Sequence, residues 1–202
     1  VRINAPRSAI DLAIVPHLGR LASEYPGITL EVVADEGFAN IVEQGFDAGI
    51  RLGEDLHNDM RAVRLTPDLR FAIVATPDYF QRHGEPTHPQ DLLQHRCIGW
   101  RKASSGERYK WAFQQGEQRF SVAVNSPLIL DDGRMMVQAA LANVGIAFAI
   151  EQEVEEYLAS GRLRRVLADW CAPFPGFYLY YPNRRNHSVA LATVIELLRL
   201  PT

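Results

Sequence analysis

The chain has 202 residues, 47% hydrophobic and 22% charged, a make-up that excludes a disordered tail, a collagen-like fibre and a low-complexity linker. A chain this long buries roughly 70% of the surface its extended form exposes, so it can fold without a disulfide or metal staple. Its 21 basic and 24 acidic residues leave a net charge of -3, the wrong sign for a surface that grips nucleic acid through phosphate contacts.

Residues 2–5 read as a short strand ending at Pro6. Ser8 and Asp11 then have the spacing of a capping box, and Ile14, Leu18, Leu21, Ala22 and Tyr25 share one helical face. Pro16 should kink or divide this helix, because it lacks an N–H for the i→i−4 ladder. Ile28, Leu30 and Val32 alternate with polar residues, as in a strand. A short helix is expected over 39–44, closed by Gly45, then strands over 46–51, 62–65 and 71–75. Thr76-Pro77 supplies an N-cap with proline at the first helical position, and Gly84 closes that helix.

A second short helix is expected over 89–95 and a strand over 97–100, followed by a polar loop over 102–108. Residues 110–113 and 119–124 flank Gln115-Gly116-Glu117 as a hairpin. A strand over 128–130 leads to Asp132, placed to cap a helix over 133–143 that Gly145 interrupts. Strands over 146–150 and 163–167 flank a helix over 153–159. A final strand over 177–181 precedes a helix from Ser188 with Leu191, Val194, Ile195 and Leu198 on one face. Strands alternate with helices throughout, which predicts an α/β protein with largely parallel sheets.

Cys97 and Cys171 are far apart and form neither a disulfide framework nor a zinc site, so a reducing compartment is expected. The longest weakly polar run, 139–150, is too short to span a bilayer. A start at Val1-Arg2-Ile3, without methionine or an apolar leader, reads as a fragment or processed chain.

Catalytic spacings are missing: no G-x-S-x-G, P-loop, G-x-G-x-x-G or H-E-x-x-H occurs. The six histidines are scattered. Asp131-Asp132 and Glu155-Glu156 are adjacent pairs whose side chains do not face each other. Asn186-His187-Ser188 is a lone glycosylation tripeptide. Neither an enzyme nor a metal or cofactor site is expected.

What recurs is a geometry. Pro6-Arg7-Ser8 and Asp131-Asp132-Gly133 each join a strand end to a helix start, and ligands of open α/β sheets bind outside the carboxyl ends of strands. Helix starts there offer N–H groups and a positive dipole end to an anion. Arg7 and Arg51 add guanidinium groups suited to clamping a carboxylate, and Trp100 a flat apolar wall. The plainer readings stay open: Ser8 as an N-cap only, Arg51 paired with Glu54 or Asp55, Trp100 as core, Arg7 in solvent, and Met135-Met136 as packing or subunit interface.

The order of motifs resembles the effector-binding domain of LysR-type transcriptional regulators. Arg2-Ile3-Asn4-Ala5-Pro6, Pro16-His17-Leu18 and Tyr25-Pro26 match its opening. Glu43-Gln44-Gly45-Phe46-Asp47-Ala48-Gly49-Ile50-Arg51-Leu52-Gly53 is similar to its EGFDVAIRIG segment, the most specific match. Thr76-Pro77-Asp78-Tyr79-Phe80, Pro89-Gln90-Asp91-Leu92 with His95, and Ala139-Ala140-Leu141-Ala142-Asn143-Val144-Gly145-Ile146-Ala147 continue the pattern. Gly161-Arg162-Leu163 and Tyr180-Tyr181-Pro182-Asn183-Arg184-Arg185 end it. Asn143 stands where the family commonly has Gly, and Ile150 where it usually has Pro.

The resemblance implies two Rossmann-like subdomains joined by two crossovers, a type 2 periplasmic-binding-protein-like fold. Residues 1–75 with 177–202 would form the first subdomain and 76–176 the second. A small organic effector, with an anion as one option, would bind in the cleft between them, touching Pro6, Arg7, Ser8, Arg51, Leu52, Gly53, Trp100, Ser104, Asp131, Asp132 and Gly133. A winged helix-turn-helix segment preceding Val1 would carry the DNA contacts. Homodimers or homotetramers would pair the first subdomain, through residues 28–33 and the first helix, with the helix after Asp132 of a partner. The implied setting is cytoplasmic, with no membrane contact. A solute-binding protein of an uptake system is the alternative on the same fold.

Overall fold

The computed structural model describes residues 1–37, 41–53, 60–103, 105–183 and 187–201. Ser104, Glu54, Asp55, Asn186 and the first two residues of the expected 39–44 helix lie outside the described residues. In chain order the elements are β1 (Arg2–Ala5), α1 (Arg7–Ala9), α2 (Leu18–Glu24), β2 (Glu31–Ala34), β3 (Ala48–Leu52) and β4 (Met60–Arg64). Then come β5 (Phe71–Ala75), α3 (Pro77–His83), β6 (Ile98–Trp100), β7 (Trp111–Gln115), β8 (Gln118–Val122) and β9 (Leu128–Leu130). α4 (Gly133–Leu141), β10 (Ala147–Ile150), α5 (Glu151–Ala159), β11 (Arg164–Val166), β12 (Phe177–Pro182) and α6 (Val189–Leu198) follow.

Two compact units result, Val1–Asp68 with Pro175–Thr202 and Leu69–Phe174. The sequence reading set the divisions after residues 75 and 176. β5 belongs to the second unit because β10 and β11 pair along it there, from Ile150↔Phe71 to Arg164↔Ala75.

The first unit is built on one sheet in the order β2-β1-β3-β12-β4. β1 runs parallel to β2 and β3, while β12 runs antiparallel to β3 and β4. The expectation of largely parallel sheets is therefore corrected to mixed ones: β12 comes from the returning C-terminal segment and enters the sheet in the opposite direction. Ile3, Ala5, Ile50 and Leu179 are buried on one face of this sheet. Leu191, Val194, Ile195 and Leu198 of α6 are buried as their spacing predicted, and the Ser188 hydroxyl accepts from the Leu191 N–H at 3.1 Å.

The first helix departs from its expected capping. Pro6 is the N-cap and caps with no side chain, Ser8 lies inside the helix, and the Arg7 N–H donates to a Glu36 carboxylate oxygen at 2.9 Å. Pro16 does divide the helix. Ile10–Ile14 widen into a π turn, Val15–His17 tighten into a 3-10 turn, and α2 begins at Leu18. The expected strand over 28–32 starts only at Glu31, because β1 offers partners from Arg2↔Glu31 to Ala5↔Ala34.

In the second unit β10-β5-β11 form an antiparallel sheet, β6-β9 a parallel pair and β7-β8 a hairpin. The hairpin turns at Gly116, whose φ of 57° is a left-handed conformation that glycine adopts without a Cβ clash. A parallel bridge between Cys97 and Ile146 ties β6 to β10. Trp111, Phe148, Ile73, Leu92 and Cys97 form one apolar core, with the Trp111 and Phe148 rings 5.2 Å apart. Burial pushes the Cys97 thiol up to about 12 and the Cys171 thiol up to about 11, so neither carries an appreciable thiolate fraction at neutral pH.

The caps of this unit follow the sequence. The Thr76 hydroxyl accepts from the Tyr79 N–H at 3.1 Å, and Gly84, at φ 79°, closes α3. A carboxylate oxygen of Asp132 accepts from the Met135 N–H at 2.9 Å. The expected 89–95 helix is a 3-10 turn, Pro89–Gln94, held by a reciprocal cap between His88 and Asp91. Asn143 takes the left-handed conformation that glycine would otherwise supply, with φ 63°. Its amide accepts from the Thr76 hydroxyl at 2.6 Å and donates to Asp78 at 2.6 Å, tying the end of α4 to the start of α3.

His95, 8% exposed, closes that 3-10 turn with Nδ1 3.3 Å from the Tyr79 hydroxyl. Burial holds its pKa below the ordinary 6.5; the neighbouring His83 adds to the depression and Asp91 opposes it. A depressed folded-state pKa means that the unfolded chain binds the extra proton more readily, so this contribution is lost as pH falls below 6.5. Urea midpoints should therefore drop from about pH 7.5 to about pH 5.5, a window above the carboxylate range, and His95→Gln should flatten the drop. An equal slope in both proteins would refute the assignment.

Candidate functional site

Each unit brings part of the expected residue set to the carboxyl ends of its parallel strands. In the first unit, Pro6, Arg7 and Ser8 follow β1, and the turn Asp35-Glu36-Gly37 follows β2. The Asp35 N–H donates to the Ala5 carbonyl at 3.0 Å, and an Asp35 carboxylate oxygen accepts from the Gly37 N–H at 2.8 Å. Glu36 accepts from the Arg7 N–H, so the first N–H of this helix already holds a carboxylate of the chain itself. Arg7 is exposed and Ser8 half-buried, and the Ser8 hydroxyl has no hydrogen bond among the described residues.

Arg51 takes a different position from a clamp open to solvent. It is 4% exposed, and its guanidinium donates to the Ile50 carbonyl at 2.6 Å, to Asn4 Oδ1 at 2.6 Å and to the Gly37 carbonyl. It thereby links β1, β3 and the 35–37 turn. Leu52 pairs with Phe177 at the end of β3. The Gly53 N–H donates to the Gly176 carbonyl at 3.0 Å, and a Cβ at Gly53 would stand 2.8 Å from the Tyr178 ring. Gly53 is thus fixed by close packing.

In the second unit Trp100 and Leu130 are partners at the ends of β6 and β9, and the chain runs on from Leu130 into Asp131, Asp132 and Gly133. The Trp100 ring is half-buried and stands 5.0 Å from Tyr109, over which the Lys102 ammonium lies at 5.3 Å. Asp131 is exposed, Asp132 caps α4, and Gly133 opens it. A Cβ on Gly133 would stand 3.3 Å from a Glu153 carboxylate oxygen, so this helix start also faces an acid of the chain itself. Glu36 and Glu153 are far in sequence from the helix starts they adjoin, and no motif signals either. Asn4 and Asp35 were likewise missed; the only trace of Asn4 was its polarity inside the strand. Among the described residues, no group of three or more His, Cys, Asp or Glu side chains is arranged to hold a metal ion.

A chain of two α/β units, the first assembled from both ends of the polypeptide, has the type 2 periplasmic-binding-protein-like fold. The family described as LysR substrate binding domain matches residues 1–200, and this chain belongs to it. A putative transcriptional regulator of Pseudomonas aeruginosa is 45% identical over 186 residues, which are 92% of this chain and 61% of that protein. The uncharacterized HTH-type transcriptional regulator YcaN of Escherichia coli is 38% identical over 199 residues, 98% of this chain and 65% of that protein. The chain thus spans under two thirds of either relative. The regulatory domain of CrgA, a LysR-type transcriptional regulator from Neisseria meningitidis, superposes with a TM-score of 0.83 at 24% identity, covering 98% of this chain and 96% of that one. Full-length AphB of Vibrio cholerae gives a TM-score of 0.83 at 20% identity, covering 98% and 66%.

Proposed function

We propose that this chain is the effector-sensing part of a longer cytoplasmic LysR-type transcriptional regulator. A small organic molecule would bind in the cleft between the two units, touching residues 6–8 and 51–53 of the first and Trp100, Ser104 and 131–133 of the second. DNA would be bound only by a winged helix-turn-helix part outside this sequence. The observation that carries this reading is the family match over residues 1–200. The uptake-protein alternative is not favoured, since the relatives named above are transcriptional regulators. No catalytic role is proposed. Among the described residues, no helix is long and apolar enough to cross a membrane.

The charge of the effector is left open by this reading, because Glu36 adjoins one helix start and Glu153 the other. Self-association would use the surfaces named from the sequence. β2 is an edge strand, Val15 is exposed just before α2 and Leu18 at its start, and Met135 is exposed on α4 while Met136 is buried. Apolar side chains left in solvent on these elements suit pairing with a second copy.

A thermal-shift screen of small metabolites tests the reading. Ser8→Ala removes a hydroxyl with no partner among the described residues and should leave stability within about 0.5 kcal/mol, yet weaken a hit several-fold. In the full-length regulator the same hit should change operator affinity by about 5–150-fold. A hit with no effect on operator binding would return the uptake alternative.

A further inference from the structure

The C-terminal motif Tyr180-Tyr181-Pro182 is not used by the reading above, and Tyr180 has an unexplained feature. The residue is 7% exposed, and its hydroxyl has no hydrogen-bond partner among the described residues. Buried hydroxyls are rarely left this way, because desolvation without a replacement bond is costly. The ring lies across β3 at Gly49: a Cβ there would stand 2.4 Å from Cζ and 2.5 Å from the hydroxyl oxygen. Gly49 pairs with Tyr180 on one side and Asn4 on the other, so all three share one sheet face, and Arg51 lies two residues along on that face. Ile41 and Phe46 pack against the ring and hold it there.

This buried strand forgoes a side chain at Gly49, and what occupies the space is the phenol ring and its oxygen, on the sheet face that Asn4 and Arg51 share. Had the ring served packing alone, phenylalanine would fill the same volume with no orphaned group. Burial raises the phenol above its ordinary pKa, with Arg51 opposing and Asp35 adding, so the group stays protonated and can donate.

We propose that the Tyr180 hydroxyl is an effector contact, donating a hydrogen bond to a carbonyl or carboxylate oxygen of the bound molecule. The proposal rests on the effector-sensing reading and adds to it a specificity-determining residue and a ligand chemistry. It moves recognition of that oxygen from the helix start, where Glu36 sits, to the sheet face beside Arg51.

Tyr180→Phe in this chain tests it, with acetate, succinate and benzoate at millimolar concentration as probes and their primary amides as a second arm. The substitution should raise the ligand-free melting temperature by about 2–4 °C. It should also weaken whichever probe shifts the parent protein by about tenfold. Acids acting without their amides would identify a carboxylate, and both acting a carbonyl oxygen. Unchanged probe affinity in Tyr180→Phe, or a lower ligand-free melting temperature, would overturn the proposal. If Ser8→Ala weakens a probe and Tyr180→Phe does not, this contact falls while effector sensing stands. If other metabolites bind and no probe does, the ligand chemistry is wrong; if nothing binds, both readings fall.

Discussion

Replacing Arg51 with alanine should lower the stability of the first unit by about 3–5 kcal/mol, since each buried acceptor left without its donor costs about 1–3 kcal/mol. The loss is large because the guanidinium is buried and serves the Ile50 carbonyl, Asn4 Oδ1 and the Gly37 carbonyl together. Without it Asn4 Oδ1 loses this donor, and the 35–37 turn loses its tie to β3. All three tryptophans, Trp100, Trp111 and Trp170, belong to the second unit. Chemical denaturation followed by far-UV circular dichroism should therefore show an early transition in Arg51→Ala that tryptophan emission does not report. Coincident transitions at the parent midpoint would show that Arg51 does not hold the first unit together. Loss of ligand response in Arg51→Ala accordingly needs this control before it is read as a lost contact.

The second large effect is expected at Gly145. A Cβ there would stand 2.2 Å from the Arg96 carbonyl oxygen and 2.9 Å from its carbon. Neither atom can yield, because the Ile146 N–H donates to that same carbonyl at 2.9 Å and the Ile98 N–H to the Ile146 carbonyl at 2.8 Å. Gly145→Ala should cost about 4 kcal/mol or more by prying β6 from β10, and here tryptophan emission should report the early transition. Gly133→Ala is the matched control. Its nearest neighbour is the end of the flexible Glu153 side chain at 3.3 Å, so the change should stay within about 1 kcal/mol. Equal losses at the two glycines would refute the steric argument.

What the sequence revealed and what it hid separate by distance along the chain. The ends of α3, the cap of α4, the turn at Gly116 and the division of the first helix at Pro16 all depend on residues within a turn or two, and each was readable from residue types. The start of the first helix was misread because the acceptor of its first N–H is Glu36, 29 positions from Arg7. The bond between Arg51 and Asn4 was hidden for a comparable reason: the two are 47 positions apart. Strand direction was hidden too, since β12 looks the same in sequence whichever way it enters the sheet. Of the candidate site, the strand-end positions were legible, while the acids adjoining them and the Tyr180 hydroxyl depended on tertiary approach.

The position of β12 between β3 and β4 has a consequence for biosynthesis. Leu69–Phe174 is continuous in the polypeptide, so the second unit can fold as soon as it clears the ribosome. The sheet of the first unit cannot close then, since β12, which joins β4 to the rest, is translated only after the second unit. The nascent protein therefore carries the exposed edges of β3 and β4 while the second unit is being made, and these are the surfaces that chaperones must shield from neighbouring chains.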